Sequence, residues 1–464
     1  MTLHSYHQFL AGKRISDPVT GIDGVIELPE FLFPHQADIT RWALRRGRAA
    51  IFAGTGLGKT LMELIWADRV SAYTRRPVLL LAPLAVSHQH EKEAGRFGVA
   101  AHVVTSRGDG TIDVTNYQKL DRFELDAFGG VALDESSILK HHDGHYRTRL
   151  IRECARIPFR LAATATPAPN DFMELGNHAE FLGIMSYTDM LATFFVHDGG
   201  DTKSWRLKGH AEAAFWKWMA SWAVMLRRPS DLGYSDEGYE LPPLQYHHHR
   251  VTAAFKPSFE TGTLFPMEAR TMKERLAARR DSVEGRVSQA VNLTPADRPF
   301  VWWCNLNSEA EMLCARLPGA VNLTGADSDA VKVDKMTAFT DGKIRTLVTK
   351  PSIAGFGMNW QHCADTGFVG LNDSFEQVYQ AVRRFWRFGQ SKPVNAHFIA
   401  DEREGAVVAN LRRKESDAER MACEMVRHMA DLSAETVRGA VRDQPDYQPA
   451  QPIMLPDWIK ENAA

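Results

Sequence analysis

The sequence predicts an α/β protein with two lobes, each a parallel sheet flanked by helices. Short apolar runs alternate with helical patterns, as is typical of buried parallel strands joined by crossover helices. The runs form an early and a late set, separated by a stretch of different character. The early set covers 49–53, 78–82, 131–133 and 161–163, and the late set covers 300–303, 345–349, 367–371 and 394–399.

The chain has 464 residues, which at roughly 100–200 residues per domain suggests two or three domains. We expect a helical insertion between the lobes, because 211–228 carries aromatic residues at helical spacing and 267–290 is charged and helix-prone. The last segment is polar and proline-rich. The predicted divisions are an N-terminal extension (1–30), lobe one (31–175), the helical insertion or linker region (176–293), lobe two (294–430) and a flexible tail (431–464).

Composition excludes several classes of protein. Hydrophobic residues make up 44% and charged residues 24% of the chain, which is ordinary for a globular protein. The five cysteines lie without a CxxC pair or a histidine at zinc spacing, which argues against a disulfide framework and a zinc site. No apolar stretch of membrane length occurs, and the N-terminus lacks a signal-like core. We therefore expect no membrane partner and a cytoplasmic location.

A glycine-rich loop follows the first apolar run and precedes an amphipathic segment. Its sequence, AGTGLGKT over 53–60, suits a phosphate-binding loop, in which backbone N–H groups and a helix N-terminus face the phosphates of ATP. We expect Lys59 to reach the β- and γ-phosphates and the Thr60 hydroxyl to bind Mg²⁺. The predicted nucleotide-binding residues here are Gly54, Thr55, Gly56, Leu57, Gly58, Lys59 and Thr60.

An acidic pair ends the apolar run at 131–133. Open α/β sheets bind ligands at the carboxyl ends of their strands, where Asp134 and Glu135 are expected to lie. Asp134 is predicted to hold Mg²⁺, and Glu135 to orient and polarise the attacking water. With Lys59 they are the predicted catalytic residues of lobe one.

These motifs carry a family resemblance. Gln36, AGTGLGKT, LDESS, TATP (164–167) and QAVRRFWRFGQ (380–390) occur in the order seen in superfamily two helicases. The chain most resembles the Swi/Snf-type (DEAD/DEAH-like) branch, the double-stranded DNA translocases, as a compact phage or bacterial member. The resemblance implies two RecA-like P-loop lobes, and the host cytoplasm as location if the chain is phage-encoded.

The resemblance also assigns roles to single residues. It implies that Gln36 binds adenine and that Arg384 and Arg387 contact the γ-phosphate side of ATP, completing the catalytic set. It places Gly357, with its neighbours Gly355 and Asn359, near the lobe interface and the DNA, and Gly357 is also predicted to bind the nucleotide. The segments 81–97 and 114–120 resemble those that touch the nucleic-acid backbone in lobe one. Arg227 and Arg228 resemble a pair of arginines in the family pattern, and Pro229, which follows them, departs from that pattern.

The predicted function is an ATP-dependent DNA translocase or helicase that hydrolyses ATP between its lobes. An RNA-dependent ATPase uses the same lobes and is the first alternative. An ATP-gated nucleic-acid-binding switch, acting as a subunit of a larger complex, is the second. Partner proteins of replication, recombination or restriction would fit a chain of this length.

Overall fold

The computed structural model describes residues 20–140, 144–168, 171–197, 205–252, 272–354, 359–371 and 374–437. Within them lie two parallel sheets and one short antiparallel pair, β7–β8. The α/β fold with two RecA-like lobes, predicted from the alternating runs, is confirmed.

Lobe one contains a sheet of seven strands in the order β3-β4-β2-β5-β6-β1-β9. Its central strands are buried along their whole length, which is why they read as continuous apolar runs. The strands are β1 (Arg48–Ala53), β2 (Val78–Ala82), β3 (Ala101–Val103), β4 (Ile112–Asn116), β5 (Gly130–Asp134), β6 (Phe159–Thr164) and β9 (Ala223–Leu226), and β7 (Phe195–His197) and β8 (Trp205–Leu207) form the separate pair.

Helices cover both faces of this sheet and bury one apolar cluster on each. They are α1 (Pro34–Arg46), α2 (Lys59–Thr74), α3 (Leu84–Arg96), α4 (His145–Glu153), α5 (Leu175–Leu182), α6 (Tyr187–Phe194) and α7 (Glu212–Trp222).

Lobe two contains six parallel strands in the order β10-β15-β14-β11-β13-β12. The strands are β10 (Leu244–Val251), β11 (Phe300–Trp303), β12 (Ala320–Asn322), β13 (Thr346–Thr349), β14 (Asp365–Phe368) and β15 (Val394–Asp401). The helices are α8 (Met272–Asp281), α9 (Val283–Leu293), α10 (Asn307–Arg316), α11 (Asp329–Thr340), α12 (Pro351–Ala354) and α13 (Phe375–Val382).

The region between the lobes is less helical than the sequence predicted. A single helical pattern was expected through 211–228, but α7 ends at Trp222 and the next residues form β9. The reason is burial beside β1: Ala223–Leu226 pairs with the strand before the phosphate loop and is buried throughout. Strand β10 then joins the edge of the second sheet beside β15.

The last helix, α14 (Gly405–Val437), connects the lobes. It leaves lobe two after β15 and packs on α7 and β9 of lobe one. Met425 and Met429 are buried in the lobe-one core. The prediction of a flexible tail from residue 431 is therefore wrong for 431–437, because apolar side chains continue the helix there. Residues 438–464 lie outside the described residues.

No helix in the described ranges combines the length and the apolar character that a bilayer-spanning segment needs.

Candidate nucleotide site between the lobes

The phosphate loop joins the end of β1 to the start of α2. Gly56 and Gly58 have φ values of +90° and +82°, a region in which side chains other than hydrogen are strained. The Gly54 N–H donates to the Leu226 carbonyl at 2.9 Å, which ties the loop to β9. The loop thus presents successive backbone N–H groups at the N-terminus of a helix, as an anion site requires.

Lys59 lies in the first turn of α2 and points back into the loop. Its Nζ donates to the carbonyl oxygens of Ala53 at 2.8 Å and Gly54 at 3.3 Å. Burial lowers the pKa of Lys59, while Glu135 and Asp134 act in the opposite direction. The ammonium group is therefore within electrostatic reach of both predicted carboxylates.

The other loop residues occupy distinct environments. Leu57 is buried, whereas Gly54, Thr55 and Thr60 are partly exposed. Thr60 follows Lys59 in the first turn of α2, the place from which its hydroxyl could reach a cation beside bound phosphates.

Gln36 lies on α1 and contacts the phosphate loop. Its Oε1 accepts from the Phe33 N–H at 3.2 Å, and its Nε2 donates to the Leu57 carbonyl at 3.1 Å. A carboxamide has two N–H donors and two acceptor sites on its oxygen. Two of these four sites are used in these bonds, so one donor site and one acceptor site of Gln36 lie outside them.

Asp134 and Glu135 lie where β5 ends. Asp134 Oδ1 accepts from the Glu135 N–H at 2.9 Å. Glu135 has a φ of +52°, and its Oε2 accepts from Thr164 Oγ1 at 3.3 Å, which links it to the TATP motif. Burial, followed by repulsion from Glu63, raises the pKa of Asp134 to about 6.

Two buried residues that the sequence analysis missed stand behind Asp134. His90 Nε2 lies 3.3 Å from Glu63 Oε2 and 3.6 Å from Asp134 Oδ2. Burial lowers the pKa of His90, but Glu63 and Asp134 outweigh it and raise the pKa to about 9. A signal was present in the sequence: Glu63 is four residues after Lys59 in a helix, so both side chains lie on one face.

Arg384 and Arg387 approach this site from lobe two. Arg384 is buried, and its Nε and Nη2 donate to the carbonyl and the side-chain oxygen of Gln380, each at 3.0 Å. Burial and then repulsion from Arg387 lower the pKa of Arg384 to about 10, while Glu135 and Asp134 oppose the shift. Burial also lowers the pKa of Arg387, with Glu93, Glu135 and Asp134 opposing.

The two lobes touch at the phosphate loop itself. A Cβ added at Gly56 would lie 2.7 Å from the backbone nitrogen of Phe388, the residue after Arg387. The predicted residue Gly357 lies in 355–358, outside the described residues. Asn359 is described, and its Oδ1 is buried without a hydrogen-bond partner among the described groups.

A cavity of about 1020 Å³ extends from the start of the phosphate loop between the lobes and α14. Gly54, Thr55 and residues 165–168 line it from lobe one. Arg383 lines it from lobe two, with its guanidinium carbon 4.7 Å from the Tyr379 ring centroid and 4.2 Å from that of Trp386. The neighbouring arginines 383 and 384 thus have different surroundings.

The residues present fit a magnesium–nucleotide complex. The Thr60 hydroxyl and the Asp134 carboxylate are oxygen donors, which Mg²⁺ prefers over nitrogen or sulfur ligands. The cradle at Gly56 and Gly58 leaves backbone N–H groups for phosphate oxygens.

Comparison with known proteins gives one kind of match. No protein-family model and no curated protein matches the chain. Its structure is similar to that of the SWI2/SNF2 ATPase core of Sulfolobus solfataricus, solved in complex with double-stranded DNA. The likeness covers 90% of this chain and 98% of that chain, with a TM-score of 0.41 and 15% sequence identity.

Proposed function

We propose that this chain hydrolyses ATP in the cleft between its lobes and uses the cycle to move along duplex DNA. One observation carries the proposal: Lys59, Asp134 and Glu135 of lobe one and Arg384 and Arg387 of lobe two act on one another electrostatically. Cationic groups from two lobes near one carboxylate pair, at a phosphate-binding loop that both lobes contact, suit phosphoryl transfer.

The nucleotide is bound mainly by lobe one. The backbone N–H groups of Thr55, Gly56 and Gly58 cradle the phosphates, and Lys59 exchanges its two carbonyl partners for phosphate oxygens. Gln36 uses its remaining donor and acceptor on adenine. Thr60 and Asp134 hold Mg²⁺, which when bound neutralises charge on the β- and γ-phosphates.

Hydrolysis requires both lobes. Glu135 orients the attacking water and accepts its proton, while Thr164 fixes the Glu135 carboxylate through the hydrogen bond described above. Arg384 and Arg387 stabilise the charge that develops on the γ-phosphoryl group. Because these arginines come from lobe two, hydrolysis depends on how closely the lobes approach.

The proposed polymer is duplex DNA, because the segment QAVRRFWRFGQ (380–390) has the GQ ending of the Swi/Snf-type branch. Alternating grip by two lobes that open and close converts the ATPase cycle into movement along a strand. Contacts mainly to phosphates would make binding weaken with salt and depend little on base sequence.

Steady-state ATP hydrolysis tests the proposal when measured with no polymer, duplex DNA, single-stranded DNA and RNA. We expect stimulation mainly by duplex DNA, and loss of about 100-fold or more in the rate for Lys59→Ala, the scale of removing one preorganised donor. Stimulation mainly by RNA would indicate an RNA-dependent ATPase. Tight ATP binding without turnover, under all four conditions, would indicate an ATP-gated switch and contradict the motor.

A further inference from the structure

Three buried side chains, Glu63, His90 and Asp134, meet directly behind the proposed magnesium site. Each offers one ligand-type atom, and these atoms lie within 4.8 Å of one another. The side chains of Glu63 and His90 are fully buried, and that of Asp134 is 7% exposed. Glu63 Oε1 has no hydrogen-bond partner among the described residues. Two carboxylates are therefore brought together away from water.

The orientation of His90 decides what lies between these carboxylates. Its Nδ1 is 3.1 Å from the Val86 carbonyl, which can only accept, so Nδ1 carries a proton. Nε2 then faces Glu63 Oε2 and Asp134 Oδ2. Without a positive charge, a lone pair on Nε2 would face two anionic oxygens in a site of low dielectric constant, which is strongly unfavourable. An Nε2–H donor removes this conflict.

The cluster also joins the elements that must act together. Glu63 is on α2, the helix that begins with Lys59 and Thr60, His90 is on α3, and Asp134 ends β5. Asp134 Oδ1 already accepts from the Glu135 N–H. Since Oδ2 lies at ion-pair distance from His90 Nε2, each oxygen of the Asp134 carboxylate has one contact that restricts its rotation.

We infer that His90, held by Glu63, is a positioning residue that fixes the Asp134 carboxylate for the metal–nucleotide complex. This inference rests on the proposed function, since Asp134 must hold Mg²⁺ for its orientation to matter. Partners of this kind orient metal ligands, and their loss typically costs about 10–100-fold in metal affinity or activity.

The test uses the full chain with His90→Gln, Glu63→Gln and the double variant. Glutamine keeps an N–H donor but removes the positive charge, so H90Q leaves two carboxylates uncompensated. E63Q combined with H90Q removes one charge of each sign and restores the balance. His102→Gln is the matched control, because His102 pairs with Glu91 at 3.7 Å but its side chain is 64% exposed.

The readout is the affinity for a fluorescent ATP analogue, measured in EDTA and across a Mg²⁺ titration, with hydrolysis recorded alongside. For H90Q we expect unchanged affinity in EDTA and a Mg²⁺ requirement raised about 10–100-fold. The double variant should recover most of this loss, which a purely structural role would not produce. Thermal unfolding of each variant shows whether it is folded.

Three results would overturn the inference: a Mg²⁺ requirement of H90Q equal to that of H102Q, no recovery in the double variant, or a stoichiometric transition metal in the purified protein that H90Q loses. A wild-type chain that binds Mg²⁺–nucleotide without DNA-stimulated hydrolysis would contradict the proposed function instead. The Mg²⁺ titration would still decide the role of His90 in that case.

Discussion

Burial and neighbouring carboxylates shift the pKa values of individual side chains around the cleft in opposite directions. His90 and Asp134, which lie together, both have a raised pKa, of about 9 and about 6. His178, on α5 beneath the loop after Asp134, has its pKa lowered to about 4 by burial. Its Nε2 lies 3.1 Å from Ser136 Oγ, and its ring meets Phe52 edge to face. No carboxylate offsets the burial of His178, so the neutral form is favoured.

The low pKa of His178 predicts a loss of stability in acid. The unfolded chain takes up a proton near the ordinary histidine value of 6.5, whereas the folded chain resists protonation down to about 4. Stability therefore falls as pH decreases between these values, by at most about 3 kcal/mol. His178→Gln should remove that part of the pH dependence of the free energy of unfolding, measured with urea between pH 4 and pH 7.

His102→Gln, a substitution of an exposed histidine, is the matched control for this comparison. Equal slopes for the wild type and His178→Gln would show that His178 is not buried in its neutral form.

At the scale of elements, the central strands that carry the site could be predicted from sequence, but the edge strand β9 could not. Strands β1, β5 and β6 are buried on both faces, so their apolar runs were unmistakable. From sequence, the four residues of β9 were assigned to the end of a helix. The segment AVML directly follows a helix rich in aromatic residues, and it is too short and too uniformly apolar to show the alternation of a strand. Only pairing with β1 makes them a strand.

The site shows the same division. Lys59, Asp134, Glu135 and Arg384 stand in motifs with local patterns, and the structure brings them together. Glu63 stands in no such motif, and His90 lies in 81–97, which the sequence analysis assigned to the nucleic acid and not to Asp134. Their proximity to Asp134 depends on how α2 and α3 pack against β5, which is tertiary information.

The close approach of lobe two to the phosphate loop predicts a strong effect of Gly56→Ala. Its Cβ would lie 2.7 Å from the Phe388 nitrogen, and the φ of +90° is unfavourable for alanine. Strain of about 1–3 kcal/mol would weaken ATP binding by roughly 5- to 150-fold if it acts on the bound form. Equilibrium binding of a fluorescent ATP analogue measures this.

Gly98→Ala is the matched control. Gly98 also has a positive φ, of +71°, but a Cβ there would meet nothing within 4 Å. Gly98→Ala therefore measures the effect of backbone strain alone, at a position away from the contact between the lobes. If Gly56→Ala bound ATP as well as Gly98→Ala does, the contact between Phe388 and the loop would not exist in solution.

Because helix α14 begins in lobe two and packs on lobe one, we expect a substitution in it to change the stability of lobe one. Met429 is fully buried in the lobe-one core although its helix begins in lobe two. Met429→Ala should lower the free energy of unfolding by about 2–5 kcal/mol, the usual cost of such a cavity. Arg420→Ala, on an exposed face of the same helix, should change it by less than about 0.5 kcal/mol. Urea unfolding followed by tryptophan fluorescence distinguishes the two; equal stabilities would mean that α14 is detached from lobe one.

At the scale of the whole molecule, the proposed function divides one reaction between two lobes. Lobe one holds the phosphate loop, the proposed magnesium ligands and Glu135, while lobe two supplies Arg384 and Arg387. A nucleotide that requires both sets favours the closed arrangement, and its hydrolysis removes part of that preference. Such an arrangement couples chemistry to the relative movement of the lobes, as a translocase needs.

The most direct test of this division is single-turnover ATP hydrolysis by Arg387→Ala, with ATP affinity measured in parallel. We predict a loss of about 1000-fold or more in the hydrolysis rate, the scale of an arginine supplied to phosphoryl transfer, with little change in affinity. Arg383→Ala, whose side chain stacks on Tyr379 and Trp386 instead, should hydrolyse ATP at the wild-type rate. Hydrolysis by Arg387→Ala at the wild-type rate would contradict the proposed role of Arg387, and the same result for Arg384→Ala would show that lobe one catalyses alone and would contradict a shared site.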